Sequence, residues 1–168
     1  MTNRLPIAWV LKEFESLDVH ELYAVMRARQ AAFVVEQRCC YQDADGLDVW
    51  AWHLLGTEPS GKLVSYLRII PPGRKYSETS LGRLVVESGY REHGYGRDAV
   101  REAIRRAEQL FPNSGIRGSA QAHLQRFYEH MGFQKVRGPY LEDGIPHLEM
   151  YRAPKTRITG DRGLVAQP

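Results

Sequence analysis

Arg91, Gly94 and Gly96 stand at the spacing Arg-x-x-Gly-x-Gly, after the apolar run Leu84-Val85-Val86 and its polar turn, and before a helical pattern. Glycines at a helix start let the backbone approach a ligand closely and leave N–H groups pointing outward. Those groups, with the helix dipole, favour an anion such as a phosphate. Arg91, Glu92, His93, Gly94, Tyr95, Gly96 and Arg97 are therefore the candidate anion loop. The same residues admit a second reading, because Gly94-Tyr95-Gly96-Arg97-Asp98-Ala99 matches the dinucleotide fingerprint G-x-G-x-x-G/A. That fingerprint follows its strand directly and is followed about twenty residues on by an acid. Here a loop intervenes and residues 115–121 hold no carboxylate, which disfavours a nicotinamide dinucleotide. A glycine turn entering an ordinary helix is the purely structural alternative. Further along, Tyr128 offers a phenol that can donate a hydrogen bond or a proton. A half-buried helix tyrosine with a wet hydroxyl is its structural counterpart.

Other titratable groups gather less sharply. Glu36, Tyr41, Asp43, Asp45 and Asp48 lie in or near one loop, where an acidic lip would suit a cationic ligand. Asx turns on a solvated loop explain the same acids. His53, His123 and His147 are scattered, no H-E-x-x-H occurs, and the two cysteines, Cys39 and Cys40, are neighbours. No metal is assigned on that pattern, and no disulfide framework.

The anion loop resembles the pyrophosphate loop of the GNAT acyltransferases, which likewise follows a strand and begins the longest helix. Downstream, Phe127-Tyr128-Glu129-His130-Met131-Gly132-Phe133 resembles the family's F/L-Y-x-x-x-G-F segment. Phe33 to Gln37, Tyr41-Gln42-Asp43, Asp45 to Asp48 and Asp143 to His147 are similar to the ElaA-type branch. The resemblance spans roughly Ile7 to Arg152. It implies acetyl-CoA as acyl donor and direct attack of a primary amine on the thioester. It places the pantetheine arm along the backbone of Leu84, Val85 and Val86, the pyrophosphate on Arg91 to Arg97, and a further cofactor contact on Gln121, where many members carry Asn. It makes Tyr128 the general acid beside the thioester sulfur. It fixes no base, so Glu87, His53, His123 and His147 stay open, with Glu87 the first candidate. Glu36, Tyr41, His53 and His147 are the candidate acceptor-binding residues, and the acceptor is a small-molecule or peptide amine. A non-catalytic module that senses acyl-CoA remains the alternative from another class.

These residues need a scaffold, and the apolar spacing supplies one. Ile7 to Phe14 alternates as a strand, and Asp18 three before Glu21 is a capping box opening a helix to about Val35. Gln37 to Leu47 reads as a loop. Val49 to Gly56 reads as a strand with Trp50, Trp52 and Leu54 on one face, paired in a hairpin with Leu63 to Ile70. Leu81 to Val86 is the strand before the anion loop, and Gly94 to Leu110 a helix with Ala99, Val100, Ala103, Ile104 and Ala107 inward. Ile116 to Ala120 is a strand of small residues, Ala122 to Met131 a helix, and Phe133 to Val136 and His147 to Tyr151 closing strands around a loop at 138–146. The resemblance implies an α/β fold, a mixed, strongly twisted sheet flanked by helices.

At 168 residues the chain reads as one domain over 1–154, with a polar tail at 155–168 read as disordered or docked on a partner. A 43% hydrophobic and 26% charged composition is that of a soluble globular protein. The formal charge of +3 lacks the concentrated basic footprint of a nucleic-acid binder. No run reaches transmembrane length and no signal peptide opens the chain, so the expected setting is cytoplasmic. Sheet edges leave room for a homodimer.

Overall fold

The computed structural model describes residues 4–155. Seven strands form one sheet: β1 (Ala8–Glu13), β2 (Trp52–Thr57), β3 (Leu63–Ile70), β4 (Thr79–Val86), β5 (Ile116–Gln121), β6 (Gln134–Glu142) and β7 (Ile145–Arg152). Their order is β1-β2-β3-β4-β5-β7-β6. All neighbours are antiparallel except β4 and β5. This is the expected mixed α/β sheet.

Helices cover both faces. Helix α1 (Val19–Arg29) starts at a capping box: the Asp18 carboxylate accepts from the N–H groups of His20 and Glu21, and Glu21 accepts from Asp18 N–H at 3.0 Å. The chain continues beyond Arg29 as a wider π-helical segment, Gln30–Glu36. Helix α2 (Tyr95–Leu110) buries Ala99, Val100, Ala103, Ile104 and Ala107, the stripe read from the sequence. Because strand side chains alternate, β2 and β3 feed both sides. Leu54, Leu67 and Ile69 join α2, while Leu55 and Tyr66 join Val25 and Ala28 of α1. Every residue of β3 is buried, as a central strand with two covered faces requires.

Three expectations change. Val49 is not in a strand: Asp48–Trp50 is a turn of 3-10 helix, β2 begins at Trp52, and Trp50 is half exposed with Arg74 over its ring. The stretch 138–146 is not a loop but the turn end of a long hairpin, β6 and β7, turning at Asp143-Gly144 with both residues at positive φ. Glycine and proline there mark irregular strand register, not strand ends. The helix expected over Ala122 to Met131 is a 3-10 turn, Ala122–Leu124, followed by the short α3 (Gln125–Glu129). The tail expectation falls almost wholly on 156–168, outside the described residues.

Candidate active site

The parallel pair β4–β5 is the irregular place in the sheet. Its register holds only at Thr79–Ile116 and Ser80–Arg117. From Leu81 onward β4 keeps its β3 neighbour but has no partner on the side facing β5. At the parting, a Cβ on Gly118 would lie 3.0 Å from the Leu81 carbonyl oxygen, so a larger residue would have to push the strands apart by a few tenths of an ångström there. β4 also carries a bulge: Leu67 of β3 faces both Arg83 and Leu84, and Arg83 sits at φ +56°. Bulges next to binding sites commonly re-aim side chains.

The parted strands open a cavity of about 600 Å³. Its two walls differ because the two sheet faces differ. Leu67, Leu81, Leu84, Val100, Ala120, Tyr128, Phe133 and Met150 belong to the α2-side core. Ser119 and Gln121 alternate with Gly118 and Ala120 on β5 and, with Tyr41, Lys75, Arg83, Glu142 and His147, form the polar wall. Tyr128 packs edge-on against Phe127 and Phe133. Its hydroxyl has no hydrogen-bond partner among the described residues, and burial pushes its phenol up to about 12.

The glycine loop opens beside the end of β4. Gly94 caps α2 at φ +82°, Glu92 stands at φ +65°, and Gly96 would bring a Cβ 3.5 Å from Val86. The first helical bond is Asp98 N–H to Gly94 C=O, and the N–H groups of residues 92–97 have no backbone acceptor. The Tyr95 side chain is buried, its hydroxyl donating to Leu5 C=O at 3.0 Å, so only its backbone faces the loop. Arg97 is exposed, and His93 bonds the Arg91 carbonyl. Arg91 forks onto Glu36 at 2.6 and 2.8 Å and donates to Val86 C=O.

The remaining candidates divide. Leu84, Gln121, Tyr41 and His147 line the cavity, with Gln121 donating to Gln37 across it at 3.3 Å. Val85 is in the α1-side core, and Val86 ends β4. His147 Nδ1 lies 2.8 Å from the Ile145 carbonyl. A carbonyl only accepts, so Nδ1 carries the proton and Nε2 of the neutral ring is a lone pair, 3.8 Å from Glu142. Glu87 does not line the cavity; it bonds Val64 C=O through its own N–H at the strand end, and nothing brings its carboxylate to Tyr128. Glu36 is likewise outside the lining, held by Arg91.

Two acceptor-side readings are corrected. His53 is fully buried, with Nδ1 accepting from Tyr66 Oη at 2.8 Å and Nε2 donating to Asp48 C=O at 3.0 Å. Burial holds it below its ordinary value, neutral and structural. The acidic lip is also absent, because arginines remote in sequence neutralise its aspartates. Arg29, fully buried, binds Asp43 and Asp48 at 2.7 and 2.6 Å. Arg68 binds Asp45 and Asp48, and Arg83 reaches from the bulge to Asp43 at 2.6 Å. Burial alone would raise the Asp45 and Asp48 carboxyls; the guanidiniums outweigh it and hold both below the usual range. Three acids against three arginines leave no net charge, and the loop is pinned to α1, β3 and β4. Sequence inspection also missed Lys75, Arg83, Ser119 and Glu142. The small residues Gly118, Ser119 and Ala120, which leave space beside their strand, and the Asp143-to-His147 segment pointed near them.

A model of the acetyltransferase (GNAT) domain matches residues 31–153. The chain belongs to the GNAT acetyltransferase family. Protein ElaA of Escherichia coli is 37% identical over 148 residues, covering 87% of this chain and 96% of that one. The crystal structure of E. coli ElaA matches with a TM-score of 0.82 at 36% identity, over 88% of this chain and 99% of that one. A crystal structure described as an acyl-CoA N-acyltransferase from Pseudomonas aeruginosa matches with a TM-score of 0.84 at 41% identity, over 88% of this chain and all of that one. As a GNAT acyltransferase-like chain, it shares the fold of these proteins across nearly its whole described length. Among the described residues no helix is long and apolar enough to cross a membrane.

Proposed function

We propose that this chain is an acetyl-CoA-dependent N-acetyltransferase that moves the acetyl group to a primary amine by direct attack. The observation that carries the reading is the parting of β4 from β5 beside a half-buried Tyr128 whose hydroxyl has no partner among the described residues. The free β4 edge from Leu81 to Val86 suits the two amides of a pantetheine arm, which would pair with it as an added strand does. The unpaired N–H groups of 92–97, with Arg91 and Arg97, suit the pyrophosphate. Arg91 would exchange Glu36 for that anion.

The acetyl thioester then lies between the walls, with Tyr128 on the apolar side and the acceptor approaching from the polar side. The neutral amine attacks the carbonyl carbon, and a backbone N–H of β4 near Val86 steadies the oxyanion. As the C–N bond forms and the C–S bond breaks, the Tyr128 hydroxyl passes its proton to the departing sulfur. His147 Nε2 takes the proton that the nitrogen sheds, directly or through water. This assignment moves the base from Glu87 to His147, because only His147 lines the cavity with an accepting nitrogen.

The test is a thiol-release assay with acetyl-CoA and a panel of amines. Amine-dependent release of CoA, with the acetylated amine identified by mass, is the expected result. Acetyl-CoA binding without release on any amine would make the chain a sensor instead.

A further inference from the structure

The polar wall carries a lysine that has no ion-pair partner among the described residues, its ammonium 5.4 Å from the centre of the Tyr76 ring. This residue, Lys75, stands in the turn between β3 and β4 and lines the cavity. Its neighbours are already balanced: Arg29, Arg68 and Arg83 are matched by Asp43, Asp45 and Asp48. Lys75 is exposed at the wall; desolvation, then the guanidiniums of Arg83 and Arg68, push its amine below its ordinary value against the weaker pull of Glu142 and Asp45. A cation so placed gains from an anion brought to it. Glu142 and Asp143 also line the cavity. Glu142 accepts from Ser119 at 2.9 Å through one oxygen, and its other oxygen lies 3.8 Å from His147 Nε2 without a hydrogen bond. The polar end therefore offers a cation without an ion pair together with carboxylate oxygens beside the candidate base.

We infer that the acceptor is an amino carboxylate, its carboxylate held by Lys75 and its amine held between Glu142 and His147. The inference rests on the acetyltransferase reading, since it names the acceptor of that site. A simple amine would answer Glu142 and leave Lys75 alone. A diamine or polyamine would bring a second positive charge towards Lys75 and be repelled. A single ammonium as anchor suits a monoanion. The amine arrives as an ammonium paired with Glu142 and releases one proton to bulk water before attack, which leaves His147 Nε2 free for the proton shed as the C–N bond forms.

The experiment separates acceptor binding from transfer. The twenty L-amino acids, their α-amides, butylamine and 1,4-diaminobutane are titrated calorimetrically onto the chain with and without CoA. The same compounds are then run in the acetyl-transfer assay. At least one amino acid is expected to bind five- to tenfold or more tighter than its own amide. Lys75→Met should erase that difference and Lys75→Arg should keep it, with both variants folded by circular dichroism. Preference for an amide or the diamine, a carboxylate preference that survives Lys75→Met, or no binding by any amino acid would overturn the inference. Acetylation of uncharged amines or diamines alone would do the same while leaving the transferase standing. Lys75-dependent amino acid binding without any transfer would instead remove the transferase and keep the anion anchor.

Discussion

Tyr128 gains its chemistry from its neighbours. Its sequence segment singles it out, yet the parting of two strands gives its hydroxyl a cavity to face and no protein partner. A phenol pushed up to about 12 stays protonated across the working range and remains a donor. Tyr128→Phe should therefore lower kcat by between about 10²- and 10⁴-fold with the KM for acetyl-CoA little changed, read by thiol release. An unchanged kcat would take the hydroxyl out of the mechanism. In the wild type the donor should persist through pH 10, where an ordinary tyrosine is half ionised. The kcat at saturating acceptor should then show no alkaline fall up to that pH. His147 is the parallel case: the Ile145 carbonyl fixes its tautomer and leaves Nε2 free for a proton.

At the scale of elements, the 37–50 loop and the β4–β5 parting shape the cavity. The loop is fastened by Arg29, Arg68 and Arg83 to three aspartates, and Arg29→Met would leave buried Asp43 and Asp48 with one arginine each, Arg83 and Arg68. That should cost about 3–5 kcal/mol, the usual penalty for breaking a buried pair from one side, measured as a lower urea midpoint. The acid limb follows from Asp45 and Asp48, both held below the ordinary carboxylate value. Their contribution is complete above about pH 4, where the unfolded carboxyls ionise. It is lost as pH falls through the lower folded values, and Asp48→Asn should flatten that limb. At the parting, Gly118→Ala would drive a methyl against the Leu81 carbonyl. A carbonyl fixed in a strand yields little, so about 1–3 kcal/mol of stability should be lost, and turnover should fall with it. The sequence spoke unevenly at this scale. The α2 stripe was legible because a helix repeats its pattern within a few residues. The aspartates read as a lip because their arginines lie 14 to 40 positions away. The β6–β7 hairpin was hidden by the glycines and prolines that bend it.

Across the whole molecule, one sheet carries different chemistry on its two faces and a gap that joins them. The glycine loop and α2 lie on one side of that gap, and the polar wall of β5, β7 and the pinned loop on the other. The family, the fold and the loop before α2 were visible in local motifs, because each is a short run of residues. The gap was not, since it depends on where two strands more than thirty residues apart stop pairing. Nor was the polar wall, whose members come from Tyr41, Lys75, Arg83, Ser119, Glu142 and His147, brought together only by the fold. An acetyltransferase built this way must hold acyl-CoA in that gap. Calorimetric titration of the purified chain with acetyl-CoA, beside an Arg91→Ala, Gly94→Ala double variant and an NAD control, tests it directly. Saturable one-to-one binding of acetyl-CoA, lost in the double variant and absent for NAD, is the result predicted. A folded chain that takes up no acetyl-CoA would contradict it.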